Sequence, residues 1–275
     1  MSIDYEVEYN NRARVPEHPQ IFARWEREAA AYRDEAAAHA ELGLRYGATA
    51  RQTIDLFHPG GDRAGPLCLF IHGGYWRSLE PAMFSHMAKG LNAHGVTVAV
   101  AGYDLCPQVK IADIIAQMQQ AGLYLWRRFG RSVMVYGHSA GGHLAACLLA
   151  TDWPALAAEA PRHLVPAACA ISGLFDLAPL TSVTMNQDLC LTEADVRAVS
   201  PLNWPAPAGC RLEAWCGALE SDEFRRQNRI IAEAWGKAGV DAVALEIRNT
   251  NHFTVLDPLA DPTSEWTRRL VALAS

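Results

Sequence analysis

Several features are scarce in this chain of 275 residues, and each scarcity closes a class of function. Basic residues form no stripe: 24 Lys and Arg against 30 Asp and Glu give a formal charge of -6, so nothing favours nucleic acid as a partner. No apolar window approaches the length needed to span a bilayer, so no membrane partner is expected. The N-terminal MSIDYEVEYNNRARVPEHPQ lacks the basic and apolar regions of a secretory signal, which predicts a cytoplasmic location. The glycine runs match neither G-x-x-x-x-G-K-S/T nor a dinucleotide fingerprint, and His72, His138 and His143 come without a carboxylate or cysteine at a recognised ligand spacing. No cofactor and no metal are therefore expected. No repeat, charge block or linker divides the chain, which predicts a single domain over 1–275.

What is present reads as an ordinary globular chain. Half of it is hydrophobic, and its length suffices for one large core or two small ones. Seven widely spaced cysteines, several inside apolar runs such as LCLFI and AACLLA, read as core thiols of a reducing compartment.

Strand and helix patterns alternate. Residues 20–46, rich in Ala, Glu and Arg with Phe22, Trp25 and Tyr32 on one stripe, predict a helix, and residues 1–50 as a whole an N-terminal helical extension. RQTIDLF reads as the first strand and HPGGDRAGP as a turn; LCLFI, VTVAVAGYDL, SVMVYG, PAACAIS, CRLEAWCG and AVALEI read as further strands. Helices are expected over PAMFSHMAKGLNAHG, VKIADIIAQMQQAGLYLWRRFG, SAGGHLAACLLAT, SDEFRRQNRIIAEAWGKAG and SEWTRRLVALA. That order predicts an α/β fold, a mostly parallel sheet flanked by helices. Residues 173–207 lack a clean period and are long for a connection, so they predict a small cap inserted over the active face, with Thr192 and Asp195 opening a short helix.

The chemistry is carried by VMVYGHSAGGHLAACLLA, where Gly137, Ser139 and Gly141 form G-x-S-x-G between an apolar strand and an apolar-faced helix. Small residues permit a tight strand-to-helix turn that lifts the serine oxygen above the sheet, so Ser139 is the candidate nucleophile. A serine hydroxyl needs a base and an orienting acid, here in the order serine, acid, histidine. His252, after the last strand candidate, is the best-placed base; Glu220, three residues after Gly217, is preferred as acid, with Asp222 as its rival. HGGYW at 72–76 follows LCLFI as the second half of an oxyanion site: the amides of Gly74, Tyr75 and Ala140 would face the substrate oxygen, while His72 and Gly73 would support the loop. Tyr75 and Trp76 would supply aromatic substrate walls.

On HGGYW, GHSAGGH, GALESDEFRRQ and NHF, the chain resembles the α/β-hydrolase superfamily and, within it, the kynurenine formamidase (arylformamidase) group. The likeness runs from about Arg51 onward and extends into EYNNRARVP. It implies the α/β-hydrolase fold and a metal-free serine hydrolase that converts N-formyl-L-kynurenine to L-kynurenine and formate through a formyl-enzyme, in tryptophan catabolism. By position it implies Ser139, His252 and Glu220 in the three roles, with Glu220 standing where many members have aspartate. Related sequences act on other small amides or esters, so a carboxylesterase or small-amide hydrolase with the same machinery is the alternative; a catalytically silent binding protein on this fold is the competing class. The expected partner is a small-molecule amide or ester. A homodimer would be unsurprising, although no residue pattern marks an interface.

Overall fold

In the computed structural model, which describes residues 3–61 and 65–275, eight strands form one sheet in the order β1-β2-β4-β3-β5-β6-β7-β8. They are β1 (Ala40–Arg45), β2 (Thr53–Phe57), β3 (Leu67–Ile71), β4 (Thr97–Ala101), β5 (Met134–His138), β6 (Ala167–Ile171), β7 (Arg211–Gly217) and β8 (Asp241–Ile247). The β1/β2 and β2/β4 pairs are antiparallel and every other neighbour pair is parallel.

The central strands are apolar throughout because both faces are covered. Along β3, Leu67, Leu69 and Ile71 enter one core, while Cys68 and Phe70 enter the core on the opposite face. The first core includes the buried face of the Ile111–Phe129 helix, where Ile111, Ile114, Ile115, Met118 and Ala121 recur at helical spacing. That helix stops at Gly130, whose φ of 66° is the left-handed cap position glycine fills without a Cβ clash. The Ala140–Leu149 helix is buried on every side and packs against β5 and β6, which is why it carries only small and apolar residues and one histidine. The second core takes Trp25 and Tyr32 from the His18–Glu35 helix and Leu270 and Leu273 from the Glu265–Ala274 helix.

Three sequence expectations are corrected. The helix expected over 20–46 spans His18–Glu35, and Ala40–Arg45 instead forms the edge strand β1, so RQTIDLF holds the second strand. The alanine and glutamate of AHAEL favour helix locally, but pairing with β2 decides the outcome, with a register shift between Glu41 and Leu44 around Gly43 at φ 69°. The helix expected over PAMFSHMAKGLNAHG is a 3-10 stretch, Pro81–Ala88, that passes into one α-turn at Lys89–Asn92. Part of the turn expected in HPGGDRAGP, residues 62–64, and the first two residues of the N-terminal extension lie outside the described residues. Six of the seven cysteines are buried and Cys190 is exposed; all seven are free.

The interval 173–207 holds two 3-10 stretches and two short helices, Asn186–Leu189 and Glu193–Val199. The second opens on a capping box in which Thr192 Oγ1 accepts from the Asp195 amide and the Thr192 amide donates to Asp195. Among the described residues no helix is long and apolar enough to cross a membrane.

Candidate active site

The parallel strands deliver their carboxyl-end loops to one edge of the sheet, where open α/β sheets bind ligands. Five of those loops meet there: 72–78 after β3, Ser139 after β5, Ser172 after β6, 218–221 after β7 and 248–253 after β8.

Ser139 sits at φ 57° and ψ -115°, a conformation non-glycine residues avoid, between the end of β5 and the first turn of the Ala140–Leu149 helix. Its neighbours explain how the turn is tolerated. A Cβ at Gly137 would lie 2.3 Å from the Gly141 carbonyl oxygen, and one at Gly141 would lie 1.9 Å from the Ile71 oxygen. The glycines let helix and strand approach closely enough to force the bend, and the Ser139 amide is tied to Ile171 O at 2.8 Å.

Ser139 Oγ lies 3.1 Å from His252 Nε2, and His252 Nδ1 lies 2.7 Å from Glu220 Oε2. With Nδ1–H donating to the carboxylate, Nε2 is the ring nitrogen free to accept the serine proton. All three residues are buried. The other oxygen of Glu220 accepts from Ser172 Oγ and from the Gly217 amide, each at 2.6 Å, so three donors hold one carboxylate. Glu220 turns back onto the end of its own strand, and this takes up the methylene by which it exceeds aspartate. The rival acid is elsewhere: the Asp222 side chain is 93% exposed and pairs with Arg225 at 3.5 Å.

His138 donates from Nε2 to the His252 carbonyl oxygen at 2.7 Å and packs against the His252 ring at 4.8 Å between centroids. Burial, then the neighbouring His252 charge, pushes His138 well below the ordinary histidine range, so it stays neutral and fixes the 252 loop without adding a second cation. His143 donates from Nε2 to Val199 O at 2.7 Å, and burial brings it down to about 4.

His72 is fully buried, stacks on Tyr103 at 4.4 Å and donates from Nδ1 to Gly73 O at 2.7 Å; burial lowers it to about 4. Gly73 lies against the serine turn, since a Cβ there would fall 3.1 Å from Ser139 Cβ. Gly74, Tyr75 and Trp76 follow at φ 105°, 49° and 55°. No acceptor for the Gly74 or Tyr75 amide is found among the described residues, and the Ala140 amide belongs to the unpaired first turn of its helix.

A cavity of about 330 Å³ opens over Ser139 and His252. Its aromatic wall comprises Tyr9, Phe22, Trp25, Tyr75 and Phe253, and its far side includes Thr184, Met185 and Gln187. The expectation for Trp76 is corrected here: it is fully buried beneath the loop, edge-on to His143 at 5.0 Å, and does not line the cavity. Tyr75, its neighbour at nearly the same φ, lines the cavity instead. Sequence reasoning missed Ser172, Tyr9 and Asn11. Ser172 carried a signal, as the last residue of a strand candidate beside the serine strand; the N-terminal residues carried none beyond the family likeness.

The sequence of residues 68–256 matches the model of a family described by its alpha/beta hydrolase fold. The chain belongs to that family. A kynurenine formamidase from Danio rerio is 27% identical to this hydrolase over 240 residues, 84% of this chain and 81% of that protein. A solved structure from Silicibacter sp., provisionally named a thioesterase, is 33% identical, covers 99% of both chains and superposes with a TM-score of 0.87. Thermogutta terrifontis esterase 2 shares the fold at a TM-score of 0.63 and 21% identity, over 86% of this hydrolase and 96% of that chain. Fold and relatives make the protein a hydrolytic enzyme for small ester or amide substrates.

Proposed function

We propose that the hydrolase cleaves short-chain acyl esters, carboxylesters first, through an acyl-serine intermediate. One observation carries the reading: the unbroken run of contacts from Ser139 Oγ through His252 to a carboxylate held by three donors. His252 takes the Ser139 proton as the oxygen attacks the acyl carbon, and Glu220 stabilises the imidazolium that forms. The oxyanion gathers where the amides of Gly74, Tyr75 and Ala140 converge. His252 then protonates the leaving group, and water activated by the same ring releases the acid and restores Ser139. The aromatic wall takes the leaving group, while the turn at Ser139 leaves room for a small acyl part. Residues 173–207 act as the cap and 5–25 complete the roof, both within one domain, as Thr184, Met185, Gln187, Tyr9 and Phe22 on the cavity wall support.

A second reading is favoured by the curated relatives: hydrolysis of an aryl formamide, N-formyl-L-kynurenine in particular, by the same steps with an arylamine as leaving group. The two readings separate on kcat/KM for 4-nitrophenyl acetate, a short-chain acyl thioester and N-formyl-L-kynurenine. An ester value at least tenfold above the formamide value supports the first reading; a formamide value higher by orders of magnitude would replace it with the second.

A further inference from the structure

The peptide between Gly74 and Tyr75 is clamped from two sides by groups with no evident part in proton transfer. On one side, Gly74 O accepts from the Arg77 amide at 3.1 Å and from Ser78 Oγ at 3.0 Å. A trans peptide points its C=O and N–H in opposite directions, so fixing the Gly74 carbonyl toward Ser78 fixes the Tyr75 N–H away from it. On the other side, the Tyr75 hydroxyl donates to Tyr9 O at 2.6 Å and accepts from Asn11 Nδ2 at 3.3 Å. A ring held at its far end cannot swing, and it therefore holds the Cα–Cβ direction of a residue already at φ 49°. Nor is the anchor itself loose. Tyr9 is fully buried, its hydroxyl donates to Glu223 Oε2 at 2.8 Å and accepts from Gln227 Nε2 at 3.0 Å, and the Glu223 amide donates to Glu8 Oε2 at 3.0 Å. Glu223 lies three residues beyond Glu220. The N-terminal segment thus ties the 72–76 loop to the first turn of the Asp222–Lys237 helix, which follows the loop that carries the acid.

We infer that the hydroxyls of Tyr75 and Ser78 are positioning groups that hold the Tyr75 amide toward the developing oxyanion, with residues 9–11 as the fixed point of the tie. The inference rests on the acyl-serine reading above. Loss of a hydroxyl leaves the ground-state cavity intact but frees the peptide to rotate, so its effect falls on the transition state. The test uses the full chain with Tyr75→Phe and Ser78→Ala, measuring kcat and KM for 4-nitrophenyl acetate, the inhibition constant of a phenylboronic acid, and thermal unfolding.

In each variant kcat should fall about tenfold with KM within about twofold, and boronate affinity should weaken by a matching factor. Ser78→Thr, which keeps the hydroxyl, should recover most of the Ser78→Ala loss. Wild-type kcat and boronate affinity in both variants would overturn the inference, as would a kcat loss without a matching boronate loss, or one that tracks a lowered melting temperature and is not recovered by threonine. A wild-type protein that neither turns over the ester nor binds boronate would instead remove the acyl-serine reading itself, so the two failures are distinguishable.

Discussion

Two glycine-bearing turns, 72–76 after β3 and 137–141 from the end of β5 into the Ala140–Leu149 helix, build opposite sides of the same site and are held in different ways. The serine turn is held by backbone and close packing: Gly137 and Gly141 admit the carbonyls of Gly141 and Ile71, and Ser139 takes its positive φ because helix and strand leave no alternative. The 72–76 loop runs through three successive positive φ values and depends on groups far away in sequence, the Tyr103 side chain against His72, and the Tyr9 carbonyl and Asn11 side chain against Tyr75. A local constraint of the first kind leaves a local motif. A distributed one does not.

Breaking the serine turn at its oxygen gives the largest expected effect. Ser139→Ala should lower kcat by about 10⁵-fold with little change in the thermal midpoint, because no buried partner is lost beyond one hydrogen bond. Next, Glu220→Gln should lower kcat by about 10³ to 10⁴-fold, since an amide no longer fixes the imidazole tautomer or stabilises its cation, while Asp222→Ala should stay within about twofold of wild type. Steady-state kinetics on one ester checks all three.

Acid should destabilise the fold through histidines buried beside both turns. Burial lowers His72 and His143 from 6.5 to about 4, as it does His86 within the Pro81–Ala88 stretch. Between those values the unfolded chain binds protons that the folded chain refuses. Stability is therefore fully present above pH about 6.5 and is lost as pH falls toward about 4, by up to about 1.4 kcal/mol per pH unit for each group. Urea midpoints measured across that window give the slope, and a flat profile would show that these rings are not kept neutral.

Packing and strain can be separated at the serine turn alone. Gly141→Ala should cost about 3 kcal/mol in denaturant unfolding, as its Cβ has nowhere to go against Ile71 O. Ser139→Gly should stabilise by about 1 kcal/mol, because glycine adopts the required φ without strain. A destabilised Ser139→Gly would mean that the hydroxyl contributes more to folding than the bend costs.

The same contrast explains what the sequence made legible. Continuous apolar runs flanked by turn residues locate β3 to β6, and G-x-S-x-G marks Ser139 because the close approach of helix and strand requires small residues at fixed spacing. His252 follows from its place after β8, and the early position of Glu220 after β7 separates it from Asp222, which already opens a helix. Strand β1 was hidden because a half-exposed edge strand needs no apolar alternation, and it directly follows an alanine-rich stretch of helix propensity. Trp76 differs from the expectation because its ring packs against His143, a contact 67 residues away in sequence that composition does not reveal. The roof from Tyr9, Asn11 and Met185 was illegible for a similar reason: it is assembled from segments distant in sequence, and no periodicity links them.

Ser139 is central to the account, and its reactivity can be read directly. Folded wild-type protein treated with diisopropyl fluorophosphate and mapped by peptide mass spectrometry should carry a single stoichiometric adduct on Ser139, with turnover lost in proportion. An unmodified Ser139 under conditions that label an ordinary serine esterase, or full turnover after Ser139 is modified, would contradict it.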